Sequence, residues 1–142
     1  MLFRSGDPEA AASACELALN RFPDFIPAIK RLAILNTDKP GYEQKVYDWA
    51  MKAHESLPDD LEISRTLGLI TYRRGDFRSA ARFLTESTRA GLADGKSLFY
   101  LGMAQFRLKS YKESKVALQR ALALNLPADL ADEAKKTLPQ LK

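Results

Sequence analysis

Side chains able to act as nucleophiles, bases or metal ligands are few and scattered in this sequence. The chain has one histidine, His54, and one cysteine, Cys15. A zinc site needs three or four ligands, commonly His and Cys at short spacings, and these two residues are far apart. We therefore interpret His54 as a surface histidine near the end of a helix, and Cys15 as a small apolar residue on an alanine-rich helix.

Carboxylate pairs, which could serve as general acids and bases, fall where they stabilise helices. Asp59-Asp60 and Asp132-Glu133 lie near expected helix starts, where negative charge interacts favourably with the helix dipole. No glycine-rich phosphate loop follows a strand, because no strand is predicted. The sequence therefore predicts a protein that is not an enzyme, with no catalytic residue, no metal site and no cofactor.

Length and composition indicate one folded domain. The chain has 142 residues, of which 46% are hydrophobic and 28% charged, so it can bury a core and is not expected to be disordered. No apolar run approaches the roughly 18 residues of a membrane span, and the start of the chain lacks the order of a signal peptide. We expect no membrane insertion and a cytoplasmic location, with a piece of an exported or membrane-tethered protein as the alternative.

Charge is distributed unevenly along the chain, whose net charge is +4. Residues 1–60 carry seven Lys and Arg against ten Asp and Glu, whereas residues 61–125 carry twelve against five. A basic second half can attract an acidic partner at long range. A solvated helix face, with no partner, is the alternative interpretation of the same charges.

An internal repeat is the strongest pattern in the sequence. Shifting the chain by 34 residues superimposes chemically matched positions of its third and fourth quarters. The matched positions are Leu67-Gly68 with Leu101-Gly102, Phe77 with Tyr111, Ala80 with Ser114, and Leu84 with Leu118. Gly68 and Gly102 are expected to be positions where two helices pack closely.

Each repeat predicts two helices joined by a tight turn. Apolar residues recur at helical spacing, and Gly75-Asp76 supplies a residue suited to end one helix and a cap for the next. Asp59 with Glu62 resembles a capping box. The predicted helices span residues 8–21, 25–36, 41–56, 60–74, 76–90, 95–108, 110–125 and 128–138.

These motifs resemble the tetratricopeptide repeat, whose 34-residue pattern includes Leu-Gly, an aromatic residue, two small residues and a closing proline. The matching residues are Leu67-Gly68 and Leu101-Gly102; Gly75-Asp76-Phe77 and Lys109-Ser110-Tyr111; Ala11, Ala80 and Ser114; Ala18, Ala53 and Ala121; and Pro23, Pro58 and Pro127. The resemblance implies an all-α fold, in which tandem helix-turn-helix repeats stack as a right-handed superhelical solenoid with a C-terminal capping helix.

The resemblance covers nearly the whole chain as a single domain, residues 1–142. It gives a partial repeat at 1–26, repeats at 27–60, 61–94 and 95–127, and a capping helix at 128–142. The 27–60 repeat has Ala33-Ile34 in place of Leu-Gly and an atypical turn, so its first helix is expected to be short or shifted. The partial first repeat suggests a piece of a longer array and offers a surface for self-association.

In this family the first helix of each hairpin lines a concave groove. The positions of this sequence that match the groove are Arg65, Leu69, Tyr72, Arg73, Lys96, Phe99, Met103, Phe106 and Arg107. Cations mixed with aromatic rings and a methionine suit a protein or peptide with acidic and apolar side chains. Core packing is the alternative for Phe99 and Phe106. The carboxylate clamp of some family members is disfavoured, because only Lys96 matches it.

Three functional hypotheses follow. The first is a protein–protein interaction scaffold that binds a partner segment in the groove. The second is a nucleic-acid-binding helical repeat, which the basic segment suggests and its interspersed acidic residues disfavour. The third is a regulatory or assembly segment of a larger multidomain protein.

Overall fold

Some of the helices begin at residues whose side chains cap them in the computed structural model, which describes residues 7–141. The Asp7 carboxylate accepts a hydrogen bond from the backbone N of Ala10 (3.1 Å), and Pro8 follows in the first turn. Asp76 caps the fifth helix in the same way, through the backbone N of Ser79 (3.1 Å). Gly75, just before it, has a φ of 81°, which glycine adopts at little cost.

Eight α-helices and one 3-10 turn make up the described residues, and no strand is present among them. The helices are α1 (Pro8–Arg21), α2 (Ile26–Leu35), α3 (Glu43–Ser56), α4 (Leu61–Arg73), α5 (Phe77–Arg89), α6 (Gly95–Arg107), α7 (Tyr111–Leu122) and α8 (Ala128–Thr137), and the 3-10 turn is Leu138–Gln140. The all-helical prediction is confirmed. The expected short helix is α2, which has 10 residues against 13 in α4 and in α6.

Three helical hairpins, α2–α3, α4–α5 and α6–α7, stack in chain order as a helical-repeat solenoid. Helix α4 contacts α2, α3, α5 and α6, so most of its surface is covered. Helix α1 packs on α2, and α8 packs against α6 and α7. Because each hairpin covers its neighbours, the core runs along the whole stack and has no single centre.

In the hairpins α4–α5 and α6–α7, the two helices are in close contact at a glycine of the first helix. A Cβ placed on Gly102 would lie 2.7 Å from Leu118 Cγ, and one on Gly68 would lie 2.6 Å from Leu84 Cδ2. Ser114 Oγ also donates a hydrogen bond to the carbonyl oxygen of Gly102 (2.7 Å). The glycines therefore let paired helices approach within side-chain contact distance, as the sequence predicted.

Helix α1 carries a less covered version of the face that the later hairpins bury. Ala53 and Ala121 are fully buried, whereas the matching Ala18 of α1 is only half-buried. A cavity of about 410 Å³ lies between α1 and α2, lined by Ala11, Ala14, Cys15, Ala18, Phe25, Pro27, Ala28 and Arg31. This apolar cavity is where another helix could pack.

The capping box expected at Asp59 is wrong. Asp60 is the N-cap of α4, and its carboxylate accepts from the backbone N of Ile63 (3.0 Å). Glu62 instead lies 3.4 Å from the ammonium of Lys30 on the preceding repeat.

Candidate functional site

The sequence-predicted groove positions lie on α4 and α6, which are adjacent in the stack. Three of them belong to the core. Leu69, Phe99 and Met103 are only 2%, 1% and 6% exposed. The expectation that they line an open groove is corrected, because α4 and α6 are covered on several sides and present a narrow strip to solvent. Met103 is covered by α8, whose Thr137 hydroxyl lies 3.7 Å from its sulfur.

Arg65 connects two repeats. Its guanidinium lies 2.8 Å from the carboxylate of Asp94, just before α6, and its Nε donates to the hydroxyl of Ser97 (2.9 Å). Burial acts to raise the pKa of Asp94, but the hydrogen bonds from Arg65 and Ser97 outweigh it and lower the pKa. Arg65 is therefore already paired within the chain.

Lys30 repeats this arrangement one unit earlier. Its ammonium lies 2.6 Å from the carboxylate of Asp60, the residue just before α4. In the same way, Arg65 pairs with Asp94, the residue just before α6. The hydrogen bond to Asp60 is the main cause of the raised pKa of Lys30, which burial opposes. Two successive repeat interfaces therefore share one kind of ion pair, between a first helix and the N-cap of the next first helix.

Asp38 brings two further predicted groove residues together. It lies in the seven-residue α2–α3 loop, residues 36–42, whereas the turns of the next two hairpins have three residues. Its carboxylate accepts hydrogen bonds from the guanidinium of Arg73 and from Lys96 Nζ (2.9 Å). Arg73 also donates to the carbonyl oxygen of Thr37. The longer loop thus reaches past α4 to the start of α6.

Electrostatics of this cluster favour the charged form of Asp38. Burial acts to raise its pKa, but hydrogen bonds from Arg73 and Lys96, together with their charges, lower it overall. Tyr100 lies beside the same cluster, where burial raises the pKa of its hydroxyl and the charge and hydrogen bond of Arg73 oppose that rise. The cluster is a carboxylate held by two cations, and the carboxylate remains 61% exposed.

Aromatic rings continue the surface beyond the ion pairs. Tyr72 packs against Tyr100 with ring centroids 5.0 Å apart, and against Phe77 at 5.3 Å. The Arg107 guanidinium lies over the Phe77 ring at 4.8 Å. Phe106 is half-buried and packs against Tyr111 at 6.0 Å.

We call the partly accessible surface of α4, α6, the α2–α3 loop and the start of α5 the groove face. It consists of Asp38, Tyr72, Arg73, Phe77, Lys96, Tyr100, Phe106 and Arg107. Sequence reasoning identified Tyr72, Arg73, Lys96, Phe106 and Arg107. Asp38, Phe77 and Tyr100 were not predicted as groove residues. The length of the α2–α3 loop is the signal that could have indicated Asp38.

The residues that could do chemistry are dispersed in the structure as well. Among residues 7–141, no group of three or more His, Cys, Asp or Glu is placed to hold a metal ion. His54 is half-buried and packs edge-on against Phe83, with its Nδ1 buried, so it is not the surface histidine expected. Burial raises the pKa of the Cys15 thiol, which disfavours the reactive thiolate. Within the same residues, no helix is long and apolar enough to cross a membrane.

The Asp38 cluster leads to a test by pH. Asp38→Asn is expected to lower the free energy of unfolding at pH 7 by on the order of 1 kcal/mol or less, since the carboxylate is largely exposed. The folded pKa of Asp38 is lowered, so its stabilisation is complete above the ordinary Asp pKa of about 3.9 and is lost as pH falls through the folded pKa. Urea titrations at pH 7 and about pH 2 should show the difference between wild type and variant closing in acid. An equal difference at both pH values would contradict the ion-pair explanation.

Comparison with known proteins gives the fold. No family model matches the chain, and no curated protein sequence matches it. A MamA RS-1 double mutant superimposes with a TM-score of 0.72 at 18% identity, over 96% of this chain and 74% of that one. The structure of MamA MSR-1 C2 superimposes with a TM-score of 0.70 at 20% identity, over 84% of this chain and 68% of that one. A third MamA structure superimposes with a TM-score of 0.69 at 15% identity, over 96% of this chain and 78% of that one. The chain therefore has a fold of the tetratricopeptide type.

Proposed function

We propose that this chain is a tetratricopeptide-repeat scaffold, without enzymatic activity, that binds a segment of a partner protein on the groove face. One observation carries the proposal: the groove face already binds a carboxylate, that of Asp38, between Arg73 and Lys96. An exposed carboxylate on a loop can be exchanged for one supplied by another chain. The two cations then bind an Asp or Glu of the partner.

The aromatic part of the groove face supplies the apolar contacts. Tyr72, Tyr100 and Phe106 are half-buried, so each has a free surface on a ring that is already held in place by packing. Held aromatic rings lose little side-chain entropy on binding and commonly dominate the affinity of an interface. Arg107 forms no ion pair with another described residue and lies at the edge of this surface. The partner segment is therefore expected to combine acidic and apolar side chains.

The competition with Asp38 gives the sharpest test of this function. Asp38→Asn removes the internal carboxylate and keeps both cations, so partner affinity is expected to rise several-fold, about 1 kcal/mol. Tyr72→Ala and Arg107→Glu are expected to weaken binding about tenfold. The measurement is a quantitative pull-down with the full chain, followed by binding kinetics with the protein that is retained.

Lys115→Glu provides the matched control for Arg107→Glu. Lys115 is exposed on α7, away from the groove face, so the same change of charge there should leave binding nearly unchanged. If neither Asp38→Asn nor Tyr72→Ala changes the amount of partner retained in the pull-down, the groove face is excluded as the binding surface.

Self-association through α1 is a second candidate, favoured by the apolar cavity between α1 and α2. Four of its eight lining residues are alanine, a residue type that is also buried at the helix contacts of the later hairpins. A second copy of this chain could supply the helix that fits there. A nucleic-acid-binding repeat and a regulatory segment of a larger multidomain protein stay as alternatives, and a cytoplasmic location stays a prediction.

A further inference from the structure

A large share of the positive charge that forms no ion pair among the described residues lies on the second helices α5 and α7, away from the groove face. Of the four cations that the sequence predicted in the groove, Arg65, Arg73 and Lys96 are each paired with an aspartate of the described chain, and Arg107 is not. Helices α5 and α7, together with the turn before α7, carry seven cations, and none of them forms an ion pair with a described residue. They are Arg78, Arg82, Arg89, Lys109, Lys112, Lys115 and Arg120.

A cleft lies between these two helices. It has a volume of about 460 Å³ and a floor formed by Leu101 and Gln105 of α6. One wall is α5, with Thr85, Thr88 and Arg89; the other is α7, with Lys112, Glu113, Val116, Ala117 and Arg120. We call this feature the outer cleft. It shares no residue with the groove face.

The lining of the outer cleft combines three kinds of contact. Arg89, Lys112 and Arg120 are exposed cations at its rim, opposed by the single carboxylate of Glu113. Val116 is 54% exposed, which is high for a branched apolar side chain and provides an apolar contact within the cleft. Gln105 Oε1 is buried without a hydrogen-bond partner, so it can accept from an N–H that enters the cleft.

We propose that the outer cleft is a second protein-binding surface, specific for a peptide segment in which an apolar residue is flanked by Asp or Glu. The flanking carboxylates pair with Arg89, Lys112 and Arg120. The apolar side chain packs on Val116 above Leu101, and a backbone N–H of the segment donates to Gln105. Charge complementarity identifies the occupant as acidic, and the apolar contact at Val116 distinguishes it from a polyanion.

Two other anionic occupants fit the cleft less well. Single-stranded nucleic acid binds through aromatic rings on which its bases stack, and none of the described residues lining the cleft is aromatic. Glu113 would also repel a continuous row of phosphates. An anionic membrane binds protruding basic and apolar side chains, whereas the floor residues Leu101 and Gln105 are recessed between two helices.

The probe for this proposal is a random 12-residue peptide library displayed on phage and selected against the full chain. Enriched peptides are expected to carry two or more Asp or Glu around one aliphatic or aromatic residue. Binding of the selected peptides should shift the side-chain amide resonances of Gln105 and leave the backbone amide resonances of Arg73 and Lys96 on the groove face unchanged. A selection without acidic enrichment, or one that perturbs only the groove face, would overturn the proposal.

Two triple variants with the same change in net charge distinguish peptide binding in the outer cleft from general electrostatic attraction to the basic surface. Arg89→Glu with Lys112→Glu and Arg120→Glu should weaken the selected peptides at least tenfold. Arg78→Glu with Lys109→Glu and Lys115→Glu changes the net charge equally and should weaken them less than threefold. Equal losses from the two triples would mean diffuse attraction to a basic surface, which contradicts a cleft.

Val116→Lys is expected to change peptide affinity in opposite directions for a specific cleft and for attraction by charge alone. It adds a positive charge and removes the apolar contact, so a specific cleft predicts threefold or greater weakening, whereas attraction by charge alone predicts strengthening. Melting curves by circular dichroism check that each variant stays folded. A 20-nucleotide single-stranded RNA and phosphatidylserine vesicles serve as competitors, and stronger binding of either at the cleft would replace the peptide as occupant and refute the proposal.

Discussion

Replacing Leu118 by alanine is expected to lower the free energy of unfolding by about 2–5 kcal/mol. Leu118 is fully buried on α7 and packs directly on Gly102 of the paired helix. Truncation removes buried methyl groups and leaves a cavity that the close backbone contact at Gly102 prevents from collapsing. Leu84→Ala should behave similarly, because Leu84 is fully buried against Gly68.

Val116→Ala is the control for this measurement. Val116 lies two residues from Leu118 on the same helix but is 54% exposed, so its truncation should change stability by no more than about 0.5 kcal/mol. Chemical denaturation followed by circular dichroism compares the two variants. Equal stabilities would mean that α7 presents a different face to the core.

Gly102→Leu is expected to destabilise the protein by about 1–3 kcal/mol or more, because a side chain there collides with Leu118. A Cβ alone would lie 2.7 Å from Leu118 Cγ and 3.2 Å from the Leu118 backbone N. Leu118 could rotate away from the first contact, but its backbone cannot move without shifting α7. The second contact therefore makes the position intolerant of any large residue.

A double-mutant cycle isolates this contact. Gly102→Ala should be destabilising in the wild type and much less so beside Leu118→Ala, where the opposing side chain is gone and alanine's helix propensity is worth about 1 kcal/mol. The expected coupling is about 0.5–3 kcal/mol in favour of the double variant. Additive effects would mean that the two side chains do not meet.

The helices and their pairing could be predicted because the same pattern of residues occurs in two successive repeats. Gly68 precedes Leu84 by the same interval as Gly102 precedes Leu118, and both pairs are in contact. Helix boundaries in the structure agree with the predicted ones within three residues, because Asp7, Gly75 and Asp76 act at the helix ends through local contacts. Local chemistry repeated at a fixed period is what a single sequence reports well.

The groove face was predicted only in part, because its contacts join residues distant in the chain. Sequence spacing places Phe99 and Met103 on one face of α6, but it does not show that α8 and the neighbouring hairpins cover that face. Nothing local indicates that Asp38 contacts Lys96, 58 residues away. The pairs Lys30–Asp60 and Arg65–Asp94 could have been predicted from the sequence. Each joins a cation on the first helix of one hairpin to the residue just before the first helix of the next hairpin.

Those two ion pairs contribute to the coupling between repeats and so affect how cooperatively the stack unfolds. In a linear array, stability divides into the intrinsic stability of each unit and the coupling between neighbours, as in a one-dimensional Ising chain. Lys30–Asp60 and Arg65–Asp94 belong to the coupling, and Asp38 extends it to a unit beyond the nearest by contacting Lys96. Stronger coupling lengthens the stretch of chain that melts as one cooperative block. Because screening by salt weakens this part of the coupling, high ionic strength is expected to broaden the unfolding transition toward unit-by-unit melting.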